Sequence, residues 1–160
     1  MNSLILNRRT SITFFVIAIA NKIVASASQS YMRHYRIGIM EWRVMALLAA
    51  ESGITAKDIT VLSGVTAGSV SRAIRSLRKR RHVRVTADRA DNRRGLLVLT
   101  RTGRALHDQV ILSSLTREKL LLNGFSRAEY RKLLGFLERL SANVSRVSAH
   151  VPEEVRDVHS

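Results

Sequence analysis

Two short amphipathic stretches split by a glycine, and followed at once by a basic pair of β segments, constrain this chain more than anything else in it. Thr55-Ala-Lys-Asp58 has the spacing of a capping box, in which a hydroxyl and a carboxylate three residues apart satisfy each other's backbone N–H groups. It predicts a short helix with Ile59 and Leu62 on its apolar face. Gly64 then supplies a turn, since glycine enters the left-handed region without steric cost. A second helix is expected from Thr66, a good N-cap residue, with Val70, Ile74 and Leu77 at helical spacing. Its other side carries Ser69, Ser71, Arg72, Arg75, Arg78 and Lys79. One side is built to pack and the other to donate hydrogen bonds.

Charge accumulates over the same stretch. Residues 67–94 hold ten Lys/Arg against two acids, a local excess of +8 in a chain of net charge +15. Such a run is compatible with a merely solvated surface. Concentrated beside an apolar helical stripe, it is also the electrostatic footprint of a nucleic-acid-binding face. Two strands are expected at His82–Val85 and Leu96–Leu99, joined by a polar turn over Thr86–Gly95 that includes Asp88, Asp91 and Asn92. Arg89, Arg93 and Arg94 would tip this ribbon, and guanidinium groups on a narrow ribbon suit the minor groove of DNA. Asp91 stands two residues before Arg93, where a carboxylate can hold a guanidinium in one rotamer or form an ordinary surface ion pair.

The run Asp91-Asn-Arg93, then Leu96-Leu-Val-Leu99-Thr100-Arg-Thr-Gly103, resembles the wing signature of the MarR (multiple antibiotic resistance regulator) family: D-x-R, an alternating strand, then L-T-x-x-G. Ile39 followed by Glu41-Trp-Arg-Val resembles that family's second helix, and Val70-Ser-Arg-Ala73 with Leu77 its recognition helix. Ser126-Arg-Ala-Glu129 with Leu133, Leu134, Leu137, Leu140 and Asn143 resembles its closing dimerisation helix. The resemblance spans about residues 15–143. It implies a mainly α fold with a small β-hairpin wing: a winged helix-turn-helix over about 39–100, flanked by dimerisation helices over about 11–36 and 104–145, with a polar tail over 146–160. Two positions depart from the pattern. Arg81 stands where the family usually has glycine after the recognition helix, so that end must be capped without a left-handed glycine. Asn92 stands where a basic residue is common.

Composition sets the remaining bounds. At 160 residues and 46% hydrophobic, the chain is long and apolar enough for one domain with a real core. There is no cysteine, which excludes disulfides, thiolate metal sites and thiol redox sensing. The five histidines (34, 82, 107, 150 and 159) lack metal-ligand spacing, and no glycine-rich phosphate loop or nucleophile elbow is present, so neither an enzyme nor a cofactor is expected. Arg8-Arg9, the apolar run Phe14–Ala20 and Ala25-Ser-Ala27 imitate a secretory signal, but seven apolar residues fall short of the roughly 20 that span a bilayer. Ile12, Val16, Ile19, Ile23, Ala27, Tyr31 and Tyr35 recur at helical spacing, which favours a packed helix. Tyr130, Leu133, Leu137, Leu140 and Val144 follow a 3-4-3-4 heptad seam, suited to a partner helix or to packing within the chain.

The expectation is a cytoplasmic, homodimeric, sequence-specific regulator of transcription on double-stranded DNA with a pseudo-palindromic operator. The alternative is a basic protein that binds nucleic acid without sequence preference. Thr66, Ser69, Ser71, Arg72, Arg75 and Lys79 are the candidate recognition-helix contacts, and Arg89, Asp91, Arg93 and Arg94 those of the wing. The resemblance also implies repression relieved by a small aromatic or phenolic ligand. Tyr31, His34, Tyr35, Trp42 and Arg43 are the candidate lining of its cleft.

Overall fold

The computed structural model describes residues 11–87 and 95–148. They form six helices and one two-stranded antiparallel sheet, in the order α1 (Ile12–Tyr35), α2 (Ile39–Ala50), α3 (Ala56–Ser63), α4 (Ala67–Lys79), β1 (Val83–Ala87), β2 (Gly95–Leu99), α5 (Arg101–Leu121) and α6 (Arg127–Ser148). The chain divides into two compact units, Met1–Ser114 and Leu115–Ser160.

The centre of the first unit is α2. Its sequence is apolar nearly all round, as a helix enclosed by neighbours must be, and Trp42, Val44, Met45 and Leu48 are all buried. Against it pack α4 through Val70, Ala73, Ile74 and Leu77, α3 through Ile59, and the sheet through Val83 and Leu97. Val110 of α5 and Ala27 and Tyr31 of α1 complete the core. Fully burying an aliphatic side chain contributes about 1.5–3 kcal/mol, so this cluster is what gives α4 a fixed seat.

Local chemistry places the helix boundaries. Thr55 and Asp58 form the expected capping box, with the Thr55 N–H donating to Asp58 Oδ2 at 2.8 Å and the Asp58 N–H to Thr55 Oγ1 at 3.2 Å. Gly64 ends α3 in the left-handed conformation at φ 65°. Only Ile59 of α3 is buried; Leu62, expected on the apolar face, is 50% exposed, because a helix of eight residues brings a single turn against the core. The strands run further toward the tip than the sequence suggested, pairing Val83 with Leu99 through to Ala87 with Gly95, so Thr86 and Gly95 belong to the ladder. Leu97 also exchanges hydrogen bonds with the α2–α3 connection, donating to the Ile54 carbonyl at 2.9 Å and accepting from the Gly53 N–H at 3.1 Å.

The end of α4 explains the departure at Arg81. Arg81 itself takes the left-handed conformation at φ 60°, and the two closing hydrogen bonds of a Schellman motif are made, His82 N–H to the Leu77 carbonyl (2.8 Å) and Arg81 N–H to the Arg78 carbonyl (2.9 Å). Thr100 and Thr102 then hold the strained residue, each hydroxyl donating to the Arg81 carbonyl at 2.7 and 2.9 Å. Gly103 completes this clasp. A Cβ there would lie 1.9 Å from the His82 carbonyl oxygen, so the L-T-x-x-G pattern is a fitted joint between α5 and the α4–β1 loop.

The helix α1 is continuous over 24 residues and, by length and composition alone, apolar enough to cross a membrane, which the seven-residue run in the sequence did not suggest. Its C-terminal half is tied into the core by Ala27 and Tyr31, while Ile12, Phe14, Phe15, Val16, Ile17, Ile19 and Ile23 are exposed. In the second unit, α6 opens on the expected Ser126–Glu129 capping box and reaches Ser148, past the expected start of the tail. Leu137, Leu140 and Val144 of its heptad seam are exposed.

Two substitutions test the clasp. Arg81→Gly removes the left-handed penalty and is expected to raise stability by about 0.5–1 kcal/mol, a rise of a few degrees in thermal midpoint. Gly103→Ala is expected to cost about 1–3 kcal/mol by overpacking against the His82 backbone. Thermal or urea unfolding reads both.

Candidate nucleic-acid interface

Because α4 buries one side so completely, its other residues are presented in a defined order. Ser71, Arg72, Arg75, Arg78 and Lys79 are exposed, and Ser69 is half-buried near the helix N-terminus. The N-terminal turn is pre-ordered. Thr66 Oγ1 caps the Ser69 N–H at 3.4 Å and donates to Ser69 Oγ at 3.0 Å, and Ser69 Oγ accepts from an Arg72 terminal nitrogen at 3.1 Å. This Thr66–Ser69–Arg72 relay restricts the Arg72 guanidinium before any ligand arrives, lowering the ordering entropy that binding must overcome. Lys79, in the last turn, has no such restraint among the described residues. Five of the six recognition-helix candidates are thus exposed and Ser69 is half-buried, with the N-terminal end of the helix polar and partly ordered and its C-terminal end cationic.

Beyond α4, β1 adds the exposed Arg84 to the same positive region. The wing candidates Arg89, Asp91, Arg93 and Arg94 lie outside the described residues. At the α4–β1 joint, the His82 Nδ1 is buried without a hydrogen-bond partner. Burial lowers the pKa of this imidazole below its ordinary 6.5, the nearby Arg80 charge lowers it further, and Glu41 acts in the opposite direction.

The five residues proposed from the sequence for a ligand cleft fall in different settings. Tyr31 and Trp42 are buried in the core, 3% and 7% exposed, and meet edge-on with centroids 5.8 Å apart. Trp42 also stacks on His107 of α5, at 5.5 Å and 20° between planes. Tyr35 is half-buried at 6.3 Å from Tyr31, Arg43 is half-buried, and the exposed His34 places Nδ1 2.9 Å from the Ser30 carbonyl of its own helix. An open cleft of about 340 Å³ lies elsewhere, between the end of α1, the start of α2 and α4, lined among others by Met32, Met40, Glu41, Arg72, Ala73 and Ser76.

Sequence reasoning did not foresee that Glu41, Ser76 and Arg80 join α2 to α4. Ser76 Oγ donates to Glu41 Oε1 at 2.5 Å, and Arg80 forms an ion pair with the same oxygen at 3.7 Å. A signal was present: Ser69, Ala73, Ser76 and Arg80 recur at helical spacing, a mostly polar stripe beside the apolar one.

A helix–turn–helix seated on a central helix, followed by a two-stranded wing, now has a known counterpart. The model of the MarR family matches residues 37–94, which run from the start of α2 to the wing. The fold is similar to a MarR/EmrR family transcriptional regulator from Acinetobacter sp. ADP1, at 28% identity and TM-score 0.83, covering 88% of this chain and 99% of that one. Over residues 37–94 the chain is similar to the MarR family, and its fold is that of the MarR winged-helix regulators. The matched region is the winged helix-turn-helix of that family of transcriptional regulators. The fold is also shared with MepR of S. aureus, solved as a DNA complex (19% identity, TM-score 0.76, covering 86% of this chain and 99% of that one). It is shared again with BpsR of Bordetella bronchiseptica, whose DNA binding is regulated by 6-hydroxynicotinic acid (20% identity, TM-score 0.69, covering 82% and 99%). A sequence comparison with curated proteins gives no match. By this likeness α4 occupies the place of the recognition helix and β1–β2 that of the wing.

The His82 imidazole makes a pH prediction. Its folded pKa lies below the unfolded one, so the unfolded chain binds the extra proton first and stability increases with pH across that interval. The contribution is complete above about 6.5 and is lost as pH falls through the lowered folded value. Thermal midpoints from pH 7.5 to 5 should therefore fall less steeply in His82→Leu than in the wild type. Parallel curves would show that His82 is not the titrating group.

Proposed function

We propose that this chain acts as a homodimeric, cytoplasmic repressor that recognises a roughly palindromic operator and is released from it by a small ligand. The observation that carries this reading is α4. Val70, Ala73, Ile74 and Leu77 are at most 8% exposed, while Arg72, Arg75, Arg78 and Lys79 are exposed on the same thirteen-residue helix. A rigid helix that is cationic on one side fits the major groove, where arginine reads guanine in bidentate fashion. Ser69, Ser71, Arg72 and Arg75 are assigned to the groove and Arg78 and Lys79 to phosphates, with Thr66 near a phosphate at the helix N-terminus. The wing residues Arg93, with Arg89 or Arg94, are assigned to the minor groove, and Asp91 to orienting Arg93.

Dimerisation follows from uncovered apolar surface. The exposed row on α1 and the exposed seam Leu137, Leu140 and Val144 on α6 each require a partner, and a second copy supplies one. A two-fold axis would then present two α4 helices to half-sites about one helical turn apart. For the effector, the cleft beside α4 suits a small amphipathic anion better than the buried pair Tyr31 and Trp42 does. Met32 and Met40 line it together with Arg72, so such a ligand would compete with DNA for one guanidinium.

Selection of sheared genomic DNA by the purified protein near physiological salt, with excess competitor, tests the reading. Enrichment of a few fragments sharing a pseudo-palindrome is expected. Binding that follows only fragment length and salt would instead identify a non-specific basic protein. On the enriched site, Arg75→Ala should relax base preference at one position by about 1–3 kcal/mol, whereas Lys79→Ala should weaken all sequences alike and reduce the salt slope by about 0.9. Charging the seam with Leu137→Asp and Leu140→Asp should give monomers by sedimentation and lower operator affinity about 100-fold or more, through loss of bivalent attachment.

A further inference from the structure

One carboxylate joins three helices at the base of α4. Glu41 stands in the first turn of α2 with its side chain only 13% exposed. Its Oε2 accepts from the Gly38 N–H at 2.7 Å, capping α2, and its Oε1 accepts from Ser76 Oγ of α4. Arg80, which closes α4, lies 3.7 Å from the same Oε1 and donates to the Arg36 carbonyl at 2.8 Å. Arg36 is the left-handed residue at φ 57° that ends α1. The end of α1, the start of α2 and the last turns of α4 are thus held at a single point.

The apolar seat of α4 cannot replace that point. Hydrophobic burial is non-directional, so Val70, Ala73, Ile74 and Leu77 resist the helix leaving α2 more than they resist its turning about its own axis. A hydrogen bond weakens steeply with distance and angle and does resist turning. The lever arm is large. Side-chain tips stand about 5–6 Å from a helix axis, so a roll of roughly 20° moves them by about 2 Å. That is more than a bidentate base contact tolerates, while long side chains on phosphates follow such a shift easily.

We propose that Glu41 is a positioning residue for base readout: through Ser76 and Arg80 it sets the rotation of α4 about its axis, and so controls sequence preference rather than affinity for DNA at large. The inference rests on α4 being the recognition helix of a site-specific regulator.

The test uses Ser76→Ala and Ser76→Thr in the full chain, with binding measured by fluorescence anisotropy. The probes are a duplex of the genomic fragment selected by the wild type and a scrambled duplex of equal length, compared over a range of salt. Ser76→Ala removes the donor to Glu41 without altering charge and inserts a better helix former. Its expected effect is a roughly tenfold fall in the ratio of specific to scrambled affinity, the scale of one lost hydrogen bond. The salt slope and the scrambled-duplex affinity stay at wild-type values, and Ser76→Thr restores the ratio. A wild-type ratio in Ser76→Ala, or failure of Ser76→Thr to restore it, overturns the inference. A fall in salt slope also overturns it, since phosphate contacts would then be the cause. A wild type with no preference between the two duplexes would overturn the site-specific reading itself, and this inference with it.

Discussion

Burial of the inner side of α4 against α2 is the interaction on which the molecule depends. A helix carrying Arg72, Arg75, Arg78 and Lys79 within eight residues repels itself and has no stable position unless its other side is taken out of water. Val70, Ala73, Ile74 and Leu77 do this against Val44, Met45 and Leu48, with Ile59 at the flank and Val83 and Leu97 of the wing closing the end. The same contact fixes which residues of α4 face outward, since Ser71, Arg72, Arg75, Arg78 and Lys79 lie off the core stripe and are exposed. Stability and recognition are therefore two sides of one amphipathic helix.

Around that contact the chain relies on polar joints at helix ends rather than on further apolar mass. Thr100, Thr102 and Gly103 clasp the Arg81 carbonyl and the His82 backbone, which anchors the wing to the base of α4. Glu41 does the equivalent work between α1, α2 and α4. Both arginines in the left-handed region, Arg36 and Arg81, sit at such joints. Each is energetically uphill relative to glycine, and each offers its carbonyl to side-chain donors, Arg80 in one case and two threonine hydroxyls in the other. Joints of this kind are directional, so they specify orientation in a way that the apolar seat does not.

The apolar surface of α1 and α6 is the counterpart of this economy. Apolar rows left exposed on a helix call for cover, and in the proposed dimer a second copy would supply it while also duplicating α4. A helix such as α1 shows how little composition alone decides. Its length and hydropathy would suit a bilayer, yet Ala27 and Tyr31 commit its C-terminal half to the core.

The amino-acid sequence by itself determined what depends on neighbours a few residues apart. The Thr55–Asp58 and Ser126–Glu129 caps, the left-handed Gly64 and the two sides of α4 are all set by residues within a few positions of one another, and each was legible there. What only the tertiary structure decided involves residues far apart in the chain. Leu62 has the right spacing for the core and stays exposed, while Tyr31 and Trp42, read as a possible cleft lining, are sealed into the core by α1 and α2 meeting. Ser76 reaches Glu41 across 35 residues, and Arg81 takes a glycine's conformation because Thr100 and Thr102 are there to hold its carbonyl. Local periodicity carries no information on which distant group will arrive opposite a given side chain. That depends on how the helices pack, and packing is a property of the whole chain.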